Sequence, residues 1–184
     1  MTNNPKDRTQ KQSAKSQEPK SYDEILKIVR QNLGDKKISE ETINKIEVKE
    51  ITKDSTNVTL IVVPGVIIKE LKRKVQAVIE GVEGSLGGTV FVIRRRVASG
   101  LVKGEKRNRT GPTLKDYQEL IAKDLVVPSY IVDRRTLVRE DGSKLEKIIV
   151  DRKNKEELEN RFEPMRIVFE DLFGKKACFQ ANYY

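Results

Sequence analysis

The spacing of the apolar residues changes abruptly at Pro64, and this change constrains the fold more than any other feature of the sequence. Before it, the β-branched run from Asn57 to Val63 alternates in the way that a strand requires. After it, the apolar residues between Ile67 and Ile79 recur at helical spacing. The sequence therefore predicts a mixed fold in which strands and helices follow one another.

Capping and turn signals place the other elements. A serine or threonine followed three residues later by an acidic residue opens two predicted helices, at Ser21 and Thr113. Asp141-Gly142, between two β-prone runs, is the strongest short signal for a hairpin. The predicted helices are 21–34, a short one from 39, 67–79, 113–124 and 154–173, and the predicted strands are 46–51, 57–63, 89–94, 135–140, 144–151 and 177–180.

Two local features should interrupt these elements. The stretch from Gly81 to Gly88 should end the preceding helix and turn the chain. Pro164 should kink or split the C-terminal helix, because proline lacks the N–H that continues the hydrogen-bond ladder. No internal repeat is detectable.

These elements predict an α+β fold with an antiparallel β-sheet and packed helices, in a single domain over residues 21–184. That domain should contain a basic loop at 94–112, a C-terminal β-hairpin at 135–151 and a C-terminal helix at 154–173. Residues 1–20 carry almost no large apolar side chain, so we expect a disordered basic arm that cannot offset the entropy of ordering.

The net charge of +9 lies in two segments. Residues 1–20 carry five basic and two acidic side chains, and residues 94–109 carry seven basic and one acidic. The other 148 residues hold equal numbers of the two kinds. A polyanion is therefore expected to contact these two segments and not the surface in general.

Several kinds of chemistry have no support in the sequence. The chain has no histidine and a single cysteine, Cys178, so the usual nucleophile and base pairs, a Cys/His zinc site and an internal disulfide are all missing. No apolar run approaches the roughly twenty residues that span a bilayer, and the N-terminus lacks the apolar stretch of a secretory signal. We expect a soluble, intracellular protein with no cofactor, metal, membrane contact or small-molecule substrate, and no enzymatic activity.

The basic segment, residues 94–109, is the best candidate for binding RNA. Arginine side chains form bidentate contacts with phosphates and stack on bases. The segment is a long loop with one acidic residue, so we expect it to become ordered when phosphates neutralise its cations. An ordinary solvated surface loop is the simpler alternative. The sequence contains no motif for base-specific recognition, so we expect the protein to contact the shape and the phosphate backbone of the RNA.

Several sequence motifs resemble one known family. The stretch Asp124 to Val132, followed by Arg134-Arg135 and then Asp141 to Leu145, resembles the C-terminal half of the eukaryote-specific small-subunit ribosomal protein seven. Upstream, Ile61 to Pro64 and Val90 to Ile93 with Arg95-Arg96 resemble the same family in the same order. The resemblance extends over roughly residues 21 to 180 and leaves the N-terminal arm outside.

The resemblance implies a structural protein of the small ribosomal subunit. Such a protein packs on small-subunit ribosomal RNA and neighbouring proteins on the body and platform side, supports assembly, and is not a homo-oligomer. It implies cytoplasmic ribosomes with nucleolar assembly, and it carries over no catalytic residue. The RNA-binding residues predicted from the charge pattern and the resemblance are Arg94, Arg95, Arg96, Lys103, Lys106, Arg107, Arg109, Arg134 and Arg135.

Two alternatives stay open at this stage. The same loop could serve a free RNA-binding assembly factor or regulator outside the mature ribosome. The other is a metal-dependent nuclease using Asp133, Asp141 and Asp151, although these carboxylates are more simply turn and surface residues of the hairpin.

Overall fold

The computed structural model describes residues 21–33, 38–53, 55–71, 74–96, 112–152 and 155–182. Within them the chain forms six helices and six strands. The helices are α1 (Ser21–Leu33), α2 (Glu40–Ile43), α3 (Gly65–Leu71), α4 (Val75–Leu86), α5 (Leu114–Leu125) and α6 (Lys155–Phe173). The strands are β1 (Glu47–Lys53), β2 (Thr56–Val63), β3 (Thr89–Arg94), β4 (Ile131–Val138), β5 (Lys144–Val150) and β6 (Ala177–Ala181).

The strands form two three-stranded sheets of the same design. In sheet 1 the order is β1-β2-β3, and in sheet 2 it is β4-β5-β6. The first two strands of each sheet form an antiparallel hairpin, and the third pairs in parallel with the second. The α+β class is thus confirmed, but the predicted antiparallel sheet is replaced by two mixed sheets. The reason is that a helical connection returns the chain to the end where the previous strand began.

The two halves of the chain therefore share one connectivity, hairpin then helix then parallel strand, although no sequence repeat was detectable. The common feature is the order of the elements, which tolerates unrelated side chains as long as each strand and helix buries an apolar surface. The hairpin of sheet 2 begins at Ile131, four residues before the predicted start.

Strands β2 and β3 of sheet 1 are buried on both faces. Successive side chains of a strand point to opposite faces, so Leu60 and Ile61 of β2 enter different cores. Leu60 packs with residues of α5, α6 and sheet 2, whereas Ile61 packs with residues of α1, α3 and α4. Phe91 and Val92 of β3 divide in the same way. Burial on both faces explains why the run before Pro64 is apolar almost throughout.

Helix α4 continues through two of the glycines that were expected to end it. Gly81 and Gly84 lie inside the helix, and only Gly87 and Gly88, with φ of 70° and 79°, turn the chain out of it. A Cβ on Gly81 would lie 3.2 Å from Cγ2 of Ile28 in α1. Glycine at this position therefore lets α1 and α4 approach closely, which a turn signal in the sequence does not convey.

Helix α6 is not split at Pro164. One helix runs from Lys155 to Phe173 with the proline inside it. Met165, Val168 and Phe169 directly after the proline are fully buried, and their packing offsets the hydrogen bond that the proline removes.

Among the glycines of this region, Gly88 is the one at which alanine should lower the free energy of unfolding most. We expect Gly88→Ala to lower the free energy of unfolding by about 1 to 2 kcal/mol, because a φ of 79° is strained for alanine and the new Cβ would lie 2.9 Å from the carbonyl oxygen of Asn57. Gly84→Ala is the matched control and should raise it by up to about 1 kcal/mol, since a Cβ there meets nothing within 4 Å in a helix interior. Urea denaturation that gives both changes the same sign would contradict this account.

Candidate nucleic-acid interface

The three arginines at the end of β3 lie in three different environments. Arg96 forms a two-armed ion pair with Asp124 near the end of α5, in which Nη2 donates to Oδ1 at 3.1 Å and Nη1 donates to Oδ2. The two side chains are only 13% and 19% exposed. A pair so shielded from water is a structural contact, and Arg96 is committed to it.

Asp124 also forms a hydrogen bond with the backbone at the end of β3. Its Oδ2 also accepts the backbone N–H of Arg94 at 3.0 Å. One carboxylate therefore holds both the last residue of β3 and the residue two positions further on. In the sequence Asp124 marks only the end of a helix, and nothing there signals that its partner Arg96 lies 28 positions away.

Arg95 differs from its two neighbours because its guanidinium faces solvent. Its side chain is 47% exposed and its Nη2 lies 3.1 Å from Oε1 of Glu47, which is 60% exposed. An ion pair in water is worth little, so a phosphate can replace the carboxylate at small cost. Arg94 is intermediate: its stem lies beside Gly65, and its Nε is buried without a hydrogen-bond partner among the described atoms.

The two ends of the basic segment lie at opposite ends of α5. The chain leaves β3 at Arg96, which Asp124 holds at the C-terminal end of the helix, and it re-enters described structure at Pro112, next to the N-terminal end. The distance along the helix from Thr113 to Asp124 is about 16 Å. Lys103, Lys106, Arg107 and Arg109 lie between these ends, outside the described residues.

The return point is fixed by the capping box that the sequence predicted. Thr113 Oγ1 accepts the N–H of Asp116 at 3.2 Å, and Asp116 Oδ2 accepts the N–H of Thr113 at 3.1 Å. The side-chain hydrogen bond from Thr113 lowers the pKa of Asp116 below its usual value. The helix is thus closed at its start by its own residues.

Arg134 and Arg135 lie on β4 of sheet 2, in a different sheet from the arginines at the end of β3. Nε of Arg134 donates to Glu146 at 3.1 Å, and both side chains are largely buried, at 16% and 11% exposure. Thr136 donates to the same carboxylate at 3.2 Å. These contacts favour a structural role for Arg134, and its contribution to RNA binding stays a prediction.

Arg135 is exposed but paired with the neighbouring acid of its own strand. Its Nε donates to Oδ2 of Asp133 at 2.6 Å, and Oδ1 of Asp133 accepts the backbone N–H of Arg134 at 2.7 Å. These hydrogen bonds, that from Arg135 first, lower the pKa of Asp133. Its carboxylate is therefore occupied within the strand.

The three carboxylates of the nuclease alternative do not form a metal site. Asp141 accepts the N–H of Ser143 in the hairpin turn, and the backbone N–H of Asp151 donates to Tyr130 at the other end of the hairpin. Within the described ranges no group of three histidine, cysteine, aspartate or glutamate side chains is placed to hold a metal ion.

No helix in the described part of the chain has the length and apolar character to cross a bilayer.

Comparisons with known proteins identify the family. The sequence model of the family described as Ribosomal protein S7e matches residues 6–181. Small ribosomal subunit protein eS7 of Dictyostelium discoideum is 33% identical over 141 residues, which is 72% of this chain and 72% of that protein. Small ribosomal subunit protein eS7z of Arabidopsis thaliana is 33% identical over 92 residues, 50% of this chain and 48% of that protein. Small ribosomal subunit protein eS7A of Saccharomyces cerevisiae is 29% identical over 97 residues, 50% of each chain.

The family match confirms the resemblance seen in the motifs, and it corrects one limit. It starts at residue 6, so most of the N-terminal arm, which was expected to lie outside the resemblance, belongs to the matched region. The alignments span about half the length of the plant and yeast relatives and nearly three quarters of the Dictyostelium protein. The chain therefore belongs to the ribosomal protein S7e family, a family of structural, generally non-enzymatic proteins of the small ribosomal subunit.

Proposed function

We propose that this chain binds small-subunit ribosomal RNA through a basic surface that begins at Arg95 and continues through the cations of residues 97–111, and that this contact supports assembly of the subunit. The observation that carries the proposal is the contrast within the arginine triplet. Arg96 is bound to Asp124 and fixes the exit from β3, whereas Arg95 beside it is 47% exposed. Arg95 contacts an exposed counter-ion, Glu47, and its Nη1 donates a long hydrogen bond of 3.4 Å to the carbonyl of Lys45.

The anchoring of both ends supports the same proposal. Asp124 holds the chain where it leaves β3, and the Thr113 capping box holds it where described structure resumes, so these two points are fixed about one helix length apart. The rest of the chain outside the arm carries no net charge, so it adds no general attraction for phosphates. Phosphate contacts of this kind position a protein on RNA without reading its sequence.

The family membership supports a role in translation as part of a ribonucleoprotein, at cytoplasmic ribosomes. Assembly in the nucleolus, contacts with neighbouring small-subunit proteins and the absence of homo-oligomers are part of the proposal. So are the domain limits, with residues 1–20 as a basic arm and 21–184 as the folded unit.

Neutralising the basic segment should weaken binding to small-subunit ribosomal RNA with little dependence on sequence. For Arg95→Gln combined with Arg107→Gln and Arg109→Gln, we expect the slope of log Kd against log salt to fall by about one for each phosphate that the variant no longer neutralises. Filter binding of a small-subunit RNA transcript at several salt concentrations measures it. Arg30→Gln, on the exposed side of α1, is the control with one charge removed and should leave the slope unchanged. An unchanged slope in the triple variant would rule out direct contact.

Sedimentation of the full chain separates a structural role in the subunit from a role as a free factor. In a sucrose gradient of cell extract at moderate salt, we expect the chain to comigrate with small subunits and polysomes. Recovery only with precursor particles would favour the assembly factor, and recovery only as free protein would exclude both roles.

A further inference from the structure

The hairpin of sheet 2 carries exposed apolar side chains that the RNA proposal does not use. Leu137 is 44% exposed and Val138 is 63% exposed, at the far end of β4. Among the strands that the structure describes, β4 lies at the edge of its sheet and pairs with β5 alone. An exposed edge with apolar side chains is a common site for a further strand.

The hydrogen bonds show which backbone groups of β4 point outward. The N–H of Arg139 donates to Ser143 across the hairpin, and the N–H of Glu146 in β5 donates to Lys176, away from β4. Residues of an antiparallel ladder alternate in direction, so the residues at 133, 135 and 137 face β5. The N–H and C=O groups of Arg134, Thr136 and Val138 therefore point to the open side.

The first of these three residues is already covered. The N–H of Arg134 donates to Asp133 Oδ1, and the register shift between Ile131 and Asp133 disturbs the strand just before it. A bulge and a local acid are ordinary ways to protect an edge. No such contact is described for the N–H groups of Thr136 and Val138, so the open part of the edge is Thr136–Val138.

Strand β3, an edge of sheet 1, shows what a closed edge looks like in this molecule. The N–H of Val90 donates to Glu83 of α4, and its carbonyl accepts Nη2 of Arg161 from α6 at 2.6 Å. The N–H of Arg94 donates to Asp124. Side chains thus satisfy the outward groups of β3 at both ends.

The side chains around the open edge define what can be added to it. Arg135, Leu137 and Arg139 lie on the face of sheet 2 that points away from the core, because Arg134 and Thr136 contact the buried Glu146 on the other face. Lys147 and Leu145 of β5 lie opposite Arg135 and Leu137. Along β4 and β5 this outer face carries one carboxylate, Asp133. It presents an aliphatic pair flanked by cations.

We propose that the stretch Thr136–Val138 accepts an extended segment of another protein as an added strand, and that this segment carries an apolar residue between two carboxylates at alternate positions. The apolar residue lies beside Leu137 and the carboxylates lie beside Arg135 and Arg139. The open edge is a surface separate from the basic segment, and its role is independent of the RNA proposal.

Two other occupants fit less well. RNA offers phosphates to the cations but has no donors in register for the outward carbonyls of Thr136 and Val138, and it gains little from the aliphatic pair. A second copy paired about Leu137 by a two-fold axis would set Arg135 against Arg139 twice, and like charges directly opposite are destabilising. Both occupants are outcomes of the test.

Fluorescence anisotropy with the full chain tests the proposal. The probe is a labelled ten-residue peptide with a glutamate, threonine, leucine, threonine, glutamate core, and the control peptide has lysine in place of both glutamates. Val138→Pro removes an outward donor and leaves the bonds to β5 intact, whereas Val138→Ala keeps the donor. We expect the alanine variant to bind the acidic peptide like the wild type, and the proline variant and the lysine peptide to give affinities at least about tenfold lower.

A second variant controls for the possibility that the proline itself causes a folding defect. Leu137→Glu keeps every backbone group and places a carboxylate between the two arginines, so it should also lose at least about tenfold in affinity for the acidic peptide. Failure of the wild type to bind, or equal binding by Val138→Pro and Val138→Ala, would overturn the proposal. Displacement of the peptide by a short RNA duplex would reassign the surface to RNA, and dimers in sedimentation that the proline abolishes would reassign it to a second copy. Retained RNA binding in all these variants keeps the outcome separate from the proposed function.

Discussion

Replacing Phe169 with alanine is expected to lower the free energy of unfolding by about 3 to 5 kcal/mol, because the ring is fully buried and its removal leaves a cavity where two sheets and two helices meet. The ring lies 4.8 Å from that of Phe173 and 6.2 Å from that of Phe179, measured between centroids. Urea denaturation followed by circular dichroism gives the change. It is the largest effect of a single substitution that we expect in this chain.

A matched substitution on the surface provides the control. Leu114 on α5 is 53% exposed, so Leu114→Ala should change the free energy of unfolding by less than about 0.5 kcal/mol. A denaturation midpoint for Phe169→Ala equal to that of the wild type would reject the placement of α6 over sheet 2.

Replacing Asp124 with asparagine should cost about 2 to 3 kcal/mol of stability. Breaking a fully buried pair by removing one partner costs about 3 to 5 kcal/mol, and the partial exposure of this pair places the expected loss below that range. The substitution keeps the size of the side chain but leaves Arg96 without a counter-ion and weakens the bond to the N–H of Arg94. Urea denaturation measures the loss.

The control for this prediction is the exposed ion pair of the neighbouring arginine, Arg95, with Glu47. Glu47→Gln removes the exposed counter-ion of Arg95 and should change stability by less than about 1 kcal/mol, since ion pairs in water contribute little. If both substitutions cost the same, the assignment of Arg96 to structure and Arg95 to binding is wrong. The Glu47 variant should also bind RNA at least as well as the wild type, because it frees a cation.

The elements that the sequence predicted well are those whose signals are local. The Thr113 and Asp116 pair opens α5 as expected, and Asp141-Gly142 joins the two strands of the hairpin. Both signals act within four residues, through a cap or a turn that forms whatever the rest of the chain does. The family was also identifiable, because its motifs stand in order along the chain and the family match confirms them.

The failures all concern contacts between distant residues. The glycine at 81 looked like the end of a helix, but it is a point of close approach to Ile28. The proline at 164 was expected to kink or split the helix, and it does not split it, because buried neighbours hold the helix together. In each case packing against another element outweighed the local preference of the residue.

Some features of the candidate site likewise followed from the sequence, and others only from the tertiary structure. Composition and charge by themselves placed the excess of cations in two segments and excluded histidine-based catalysis, because formal charge and residue type need no coordinates. Only the tertiary structure decided which arginine of the triplet is available, since that depends on Asp124 and Glu47, which lie 28 residues after Arg96 and 48 residues before Arg95. The direction of the third strand in each sheet and the open edge of β4 also follow from long-range pairing, which the period of a sequence does not encode.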